Sequence, residues 1–304
     1  MIKKLHILWK FSRPHTIIGS VVSIITLWLM ALQNVPISSQ VFVLILTLIA
    51  GISCNIFIVG LNQIIDIDLD KINKPKLPLA DGSLSLSDAK KIIFTSLFIA
   101  LITAFCAGII LGLLIVIICL IGVAYSVPPV QLKRHHLPAA LAITVVRGVL
   151  VNLGMFLHFS YVAGQMGWQA ILHNTYQILP SEIWVLTGFV VAFSIAIAWF
   201  KDMPDTEGDA KFRFKTLAIV YSPVAVLTGG VTVVSIAYIF AIYWSYSSGI
   251  IFLFICHLTA YLLFLLNVWF VRLDHPESVT RFYRLFWLFF FAEYIFFGIR
   301  ALLE

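Results

Sequence analysis

Charge is scarce in this chain. Of 304 residues only 11% are Asp, Glu, Lys or Arg, whereas 61% are hydrophobic and the mean hydropathy is +1.03. A soluble domain built this way would expose large apolar patches to water, so the composition excludes that class and implies an integral membrane protein. Cysteine is also sparse: Cys54, Cys106, Cys119 and Cys256 lie in apolar segments without CxxC or CxxH spacing. That pattern argues for packing and against a disulfide framework or a thiolate metal site. Pro/Ser-rich linkers, low-complexity tracts and long polar stretches are missing too, so residues 1–304 read as one membrane domain. The N-terminus lacks the small-residue cleavage pattern of a signal peptide. With about a dozen residues before the first apolar run, it is also too short for a transit peptide, and that run reads as a retained spanning helix.

Long apolar runs are what the chain has in abundance. About nine approach the ~20 residues that a bilayer crossing requires, at 14–33, 41–62, 89–107, 109–126, 138–159, 182–201, 216–243, 249–271 and 284–302. The third and fourth form one stretch too long for a single crossing, with Gly108 and Gly112 where the chain would turn. The expected fold is therefore all-α, with nine membrane helices around a central cavity. Apart from Arg147 and Arg300, every Lys and Arg falls within residues 3–13, 71–91, 133–134, 201–215 or 272–284. With nine crossings all these groups share one side, which the positive-inside rule makes cytoplasmic, together with the N-terminus. The net charge of +6 is then a topology signal, and nothing calls for nucleic acid.

Seven of the 14 acids fall in two short clusters, Asn62 to Asp70 and Lys201 to Asp209, each at the end of an apolar run on the same face. Charge concentrated there is costly unless water or cations accompany it. Asn62, Asp66 and Asp70 repeat at i, i+4, i+8, and Asp202, Asp205 and Asp209 at i, i+3, i+7. On a helix either spacing places three oxygen-bearing side chains on one face. Such oxygens suit a hard divalent cation, and Mg²⁺ held by few carboxylates completes its shell with phosphate. Asp68 and Glu207 fall off these faces. Basic residues trail both clusters, a pattern that hints at two related four-helix halves plus a final helix.

Lys133 and Arg134, after the helix-ending Tyr125 to Pro129, serve either as topology charges or as a diphosphate clamp. Arg147 lies inside the fifth apolar run, where a charge needs a partner or a wet cavity; it either pairs with Glu293 in the last run or lines the cavity. Asn152 and His158 read as packing or hydrogen-bonding residues. The aromatic run from Phe282 to Phe291 reads mainly as lipid-facing or core surface, with a few rings left to wall a channel for a long apolar substrate. The chemistry these parts suit is ionisation of an allylic diphosphate: Mg²⁺ neutralises the leaving group, Lys and Arg hold the released charge, and a dry cavity protects the carbocation until a carbon nucleophile captures it.

At these residues the chain resembles the UbiA superfamily of intramembrane prenyltransferases, and within it the homogentisate phytyltransferase branch of tocopherol synthesis with its geranylgeranyl and solanesyl relatives. Five blocks carry the resemblance: Phe11 to Thr16, Gly60 through Pro75, Tyr125 to Pro129 with Lys133 and Arg134, Val146 through Gly154, and Phe200 to Asp209. It implies an Mg²⁺-dependent enzyme with its active site at the cytoplasmic face of a plasma or thylakoid membrane. That enzyme joins a prenyl group, with phytyl diphosphate the favoured donor, to homogentisate, which loses its carboxylate as CO₂. Carried over by position, Asn62, Asp66, Asp70, Asp202, Asp205 and Asp209 would bind Mg²⁺-diphosphate, with Asp66, Asp70, Asp202 and Asp205 the catalytic carboxylates. Lys74, Lys133 and Arg134 would contact phosphate, Lys201 would be a further substrate-binding residue, and Arg13 or Arg147 would meet the acceptor carboxylate. The compact chain looks more like a cyanobacterial member than a plant precursor. One stretch departs from the pattern: Ala218 to Pro223 follows Leu217 where relatives carry a polar, Gly-containing segment.

Three alternatives stay open at this stage: a relative with another acceptor (4-hydroxybenzoate, a dihydroxynaphthoate or a chlorin carboxylate), a divalent-cation transporter, and a non-catalytic lipid-binding scaffold. The one-sided clusters and their attendant cations weigh against transport, and two metal motifs weigh against a scaffold.

Overall fold

A computed structural model of the chain describes residues 2–32, 36–164 and 179–303. Among these, nine helices are long and apolar enough to span a membrane. In order they are Pro14–Ala31, Ile37–Ile65, Leu86–Ala107, Ile109–Ser126, His136–Val162, Ser181–Phe200, Pro223–Ser247, Ile251–Trp269 and Pro276–Leu303, spans one to nine. The one β pairing among the described residues is an isolated bridge between His135 and Lys215, so the protein is all-α and multi-pass.

Local chemistry sets the boundaries. Pro14 opens span one from a first-turn position that needs no N–H donor. Gly108, at φ 156, breaks the long apolar stretch into spans three and four, as expected. Span seven begins at Pro223, later than the hydropathy pattern predicts, because the Ser222 hydroxyl accepts the Ala225 N–H at 3.1 Å and caps a new helix. The unusual segment before it forms the short helix Leu217–Val220 and the exposed Tyr221, whose ring meets His136 edge-on at 6.4 Å. A helix over Ile2–Phe11, not anticipated from sequence, precedes span one and is tied to span two where the Gln63 amide donates to the Phe11 carbonyl at 2.7 Å.

Without a hydrophobic drive between helices in lipid, close approach at small residues and buried polar contacts hold the bundle. Gly60 lets span two approach its neighbours: a Cβ there would lie 2.5 Å from Ile93 and 2.7 Å from Phe11. The Thr26 hydroxyl donates to the Tyr294 carbonyl at 2.8 Å, joining spans one and nine. Thr47 and His158 hydrogen-bond at 3.2 Å, so His158 joins spans two and five as one of the expected hydrogen-bonding residues. The aromatic run of span nine turns inward more than its hydropathy implies. Phe282, Phe286, Trp287 and Phe290 are buried, and Phe286 stacks on Phe193 of span six at 4.7 Å.

Gly60→Val is expected to destabilise the bundle by about 1–3 kcal/mol through overpacking, read as a lower thermal midpoint in detergent. An unchanged midpoint would show that Gly60 is not in close contact with Ile93 and Phe11.

Candidate active site

The two acidic clusters meet. Span two ends at Ile65; Asp66 occupies the break, and Asp70 lies in the short helix Ile67–Asn73. The single helical face predicted for Asn62, Asp66 and Asp70 is thus interrupted, yet bonds from Asp66 N to Asn62 O (3.0 Å) and Asp70 N to Asp66 O (2.7 Å) preserve the i, i+4 register. The second cluster departs further. Span six stops at Phe200, Asp202 sits in a turn with Pro204, and Asp205 precedes the short helix Thr206–Lys211 that carries Asp209. Proline supplies no backbone donor, so the spacing predicted for a continuous helix is met by a turn followed by a new helix.

Asn73 latches the clusters together. Its Nδ2 donates to Asp209 at 3.2 Å, and its Oδ1 accepts the Gly208 N–H at 2.9 Å. A Cβ on Gly208 would overlap the Asn73 amide, so only glycine permits this approach. Lys74 pairs with Asp205 across the same junction. Lys133 Nζ reaches Asp66 at 2.6 Å and Asn62 Oδ1 at 3.0 Å, and the Ser126 hydroxyl also donates to Asn62 at 3.2 Å. Lys201 pairs with Asp202 at 2.8 Å. Three ammonium groups are thus interleaved with buried carboxylates.

Other predicted residues stand apart. Asp68 is exposed and pairs with Lys71 at 2.9 Å, in keeping with its place off the main face. Glu207's side chain lies outside the described residues. Arg134 is on the exposed rim, its guanidinium 5.5 Å from the Phe214 ring centroid and 3.4 Å from the Phe212 carbonyl, so it braces the neighbouring connection. Arg13 holds a left-handed conformation, φ 52, between the first two helices, close enough for its charge to act on Asp70. Arg147 does not pair with Glu293, which instead lies 2.9 Å from His257. It packs over Trp287, 4.9 Å from the ring centroid. Asn73 and Ser126 carry no spacing signal that marks them as site residues. Cys54 and Cys119 approach at 3.7 Å, a thiol contact between spans two and four that the sequence spacing also does not reveal.

Burial pushes Asp70 up to about 6, with Asp66 and Asp205 adding to the rise against Arg13 and Lys74. Burial likewise pushes Asp209 up to about 7, reinforced by Asp202 and Asp205. Burial works against the Lys201 ammonium, but Asp202 outweighs it and holds the group charged, well above its usual range. Among the described residues no three carboxylate, imidazole or thiol groups converge as a ready-made metal cage. The donor set is nevertheless all oxygen, Asp70 Oδ2 is buried without a partner, and burial makes two of the carboxyls resist ionising. These residues fit a hard divalent cation that arrives with further oxygen ligands of its own.

The chain matches the sequence profile of the UbiA prenyltransferase family over residues 22–291. It is 39% identical over 298 residues to the homogentisate phytyltransferase of Synechocystis sp. (strain ATCC 27184 / PCC 6803 / Kazusa), covering 94% of this chain and 92% of that relative. Its fold superposes on the apo structure of a UbiA homolog from Aeropyrum pernix K1 with a TM-score of 0.71 at 18% identity, over 94% and 98% of the two chains. A UbiA homolog from Archaeoglobus fulgidus bound to GPP and Mg²⁺ gives 0.64 at 16% identity, over 98% and 100%.

Asp70 and Asp209 bind protons more tightly in the folded state than at the ordinary carboxyl value of 3.8. Between about pH 4 and pH 7 the unfolded chain therefore holds fewer protons than the folded one, and stability falls as pH rises. In chelator-treated protein this appears as a midpoint that declines from pH 5 to pH 7, with a shallower slope in Asp209→Asn. A midpoint that rises over the window overturns the assignment.

Proposed function

Because the chain belongs to the UbiA prenyltransferase family, we propose that it transfers a prenyl group, phytyl favoured, from its diphosphate to homogentisate with loss of the acceptor's carboxylate as CO₂. The product is a methylated prenylquinol on the route to tocopherol. In class the protein is an aromatic prenyltransferase. The observation that carries the reading is the interleaving of Lys74, Lys133 and Lys201 with Asp205, Asp66 and Asp202 where the two clusters meet. Carboxylates alone would suit a bare cation and lysines alone a bare anion; the alternation suits a cation–diphosphate complex.

In this reading Asn62, Asp66, Asp70, Asp202, Asp205 and Asp209 hold Mg²⁺, and Asp66, Asp70, Asp202 and Asp205 are the catalytic carboxylates. When bound, Mg²⁺ supplies charge neutralisation to the diphosphate oxygens. Lys133, Lys74 and Lys201 turn from carboxylate to phosphate as the complex enters. They stabilise the electron pair that leaves with the diphosphate when the allylic C–O bond breaks. The prenyl carbon then bonds to the ring, which releases a proton, and the benzylic carbon takes a proton as CO₂ departs. Arg13 acts on the cluster from the start of span one, and Arg134 screens incoming diphosphate at the rim. Residues 1–304 act as one domain. The one-sided Lys and Arg support a cytoplasmic N-terminus and active site, in a plasma or thylakoid membrane.

The test is turnover with Mg²⁺, radiolabelled homogentisate and a panel of phytyl, geranylgeranyl and solanesyl diphosphates, beside a 4-hydroxybenzoate arm. Decarboxylated, prenylated product is expected, most rapidly with phytyl diphosphate. Asp66→Ala and Asp205→Ala, folded as judged by thermal midpoint, are expected to lose at least about 100-fold in turnover. Product from 4-hydroxybenzoate alone would replace the acceptor. Metal flux in sealed vesicles without any product would replace the enzyme with a transporter.

A further inference from the structure

The helix Ile2–Phe11 is 10 residues long, too short to persist by itself in water. The bundle holds only one end of it. Phe11 is fully buried beside Gly60, where a Cβ would lie 2.7 Å from its ring, and the Gln63 amide donates to its carbonyl at 2.7 Å. One turn earlier Ile7 is half-buried, and every other residue from Lys4 to Lys10 is exposed. The rest of the helix needs a support that the bundle does not supply.

The exposed residues are sorted by face. At about 100° per residue Leu5, Leu8 and Trp9 share one stripe, and they are 59%, 37% and 47% exposed. His6 and Lys10 lie beyond one edge of that stripe and Lys4 at the other. The helix carries no carboxylate, and among the described residues no ion pair includes Lys4 or Lys10. A bare leucine–tryptophan stripe beside unpaired lysines is the composition of a helix that lies in a membrane surface. The leucines enter the acyl chains, the indole stays at headgroup level, and the ammonium groups meet the lipid phosphates.

The helix also starts from the right depth. Arg13, with φ 52, and Pro14 interrupt the helical path, so Ile2–Phe11 leaves the line of span one. The Ser12 hydroxyl closes the last turn before the break by donating to the Trp9 carbonyl at 2.9 Å, and the Thr16 hydroxyl donates to the Arg13 carbonyl at 2.8 Å after it. Phe11 docks on Gly60, five residues before span two ends at Ile65 and so about 7 Å inside that end. Interfacial helices lie about 5–10 Å into the boundary between headgroups and acyl chains, which is the depth at which this helix departs. That end of the bundle is also the one where Lys and Arg gather, and anionic lipid is attracted there.

We propose that Ile2–Phe11 is an interfacial helix bound to a surface of anionic phospholipid, with Leu5, Leu8 and Trp9 among the acyl chains and Lys4 and Lys10 on the lipid phosphates. The lipid surface then supports from outside the turn that the Gln63–Phe11 bond holds from inside, and Arg13 sits in that turn. The contact is independent of the prenyl-transfer reading.

Hydrogen–deuterium exchange of the full chain in nanodiscs tests the contact, with bilayers of phosphatidylcholine alone and of phosphatidylcholine mixed with phosphatidylglycerol. The amides of residues 6–11 are expected to exchange on the order of 10-fold more slowly when phosphatidylglycerol is present. Lys4→Glu combined with Lys10→Glu should remove that difference while the bundle keeps its thermal midpoint, and Trp9→Ser should speed exchange in both bilayers. Phosphatidylcholine brominated near the headgroup should quench the Trp9 emission, read as the difference between the unsubstituted chain and Trp9→Phe. Exchange that is equal in the two bilayers and unmoved by the lysine substitutions overturns the anionic surface. Protection that tracks protein concentration, with Trp9 unquenched, assigns the apolar stripe to a second copy of the chain and overturns the lipid contact.

Discussion

A carboxylate at the edge of a bilayer must have positive charge beside it, and the architecture around the two acidic clusters follows from that constraint. Asp66 and Lys133 have side chains only 9% and 5% exposed and lie 2.6 Å apart, so each buried charge is compensated by the other. Holding them together fixes the end of span two against the turn after span four. The Lys74–Asp205 pair and the Asn73–Asp209 bond do the same between the short helices that follow spans two and six. The spanning helices supply depth and dryness, and the ion pairs decide how their ends are arranged.

The same constraint, applied deeper in the membrane, gives different solutions for two charged groups. Glu293 finds His257 in an enclosed contact among spans eight and nine. Arg147 finds only ring faces and is left with a bare donor. A closed pair of that kind is a structural clamp between spans eight and nine, whereas a guanidinium laid on ring faces keeps a donor uncommitted. An apolar groove of about 800 Å³ between spans eight and nine, bordered by Leu263, Arg281 and Phe289, touches none of the acidic cluster residues and belongs to the lipid-facing flank.

Much of this was legible in the amino-acid sequence because the bilayer imposes length and polarity rules that act on single segments. The nine spans, the break at Gly108 and the place of both acidic clusters at the ends of spans two and six follow from such rules. What escaped depends on contacts between segments. Asn73 looks like any loop amide until Gly208 is seen against it. Arg134 and Lys133 are adjacent in sequence, yet the tight turn at Leu132–Arg134 sends one inward and the other to Phe214. Of the two roles open to Arg147 the pair with Glu293 is not formed, and His257, which takes that place, escaped notice because a buried histidine in an apolar run carries no pattern that distinguishes it from a packing residue. The π-helical turn Thr144–Leu150, which carries Arg147, has no period that hydropathy registers.

If the two clusters take a cation–diphosphate complex as proposed, the interleaved ammonium and carboxylate groups make the site a coincidence detector. A lone metal ion would displace the lysines and leave them stranded in a poorly hydrated place; a lone pyrophosphate would draw the lysines away and strand the aspartates instead. Only both together exchange every broken pair for a new one. In the proposed reading the resting ion pairs therefore act as a gate on composition, favouring the cation–diphosphate complex over either half alone.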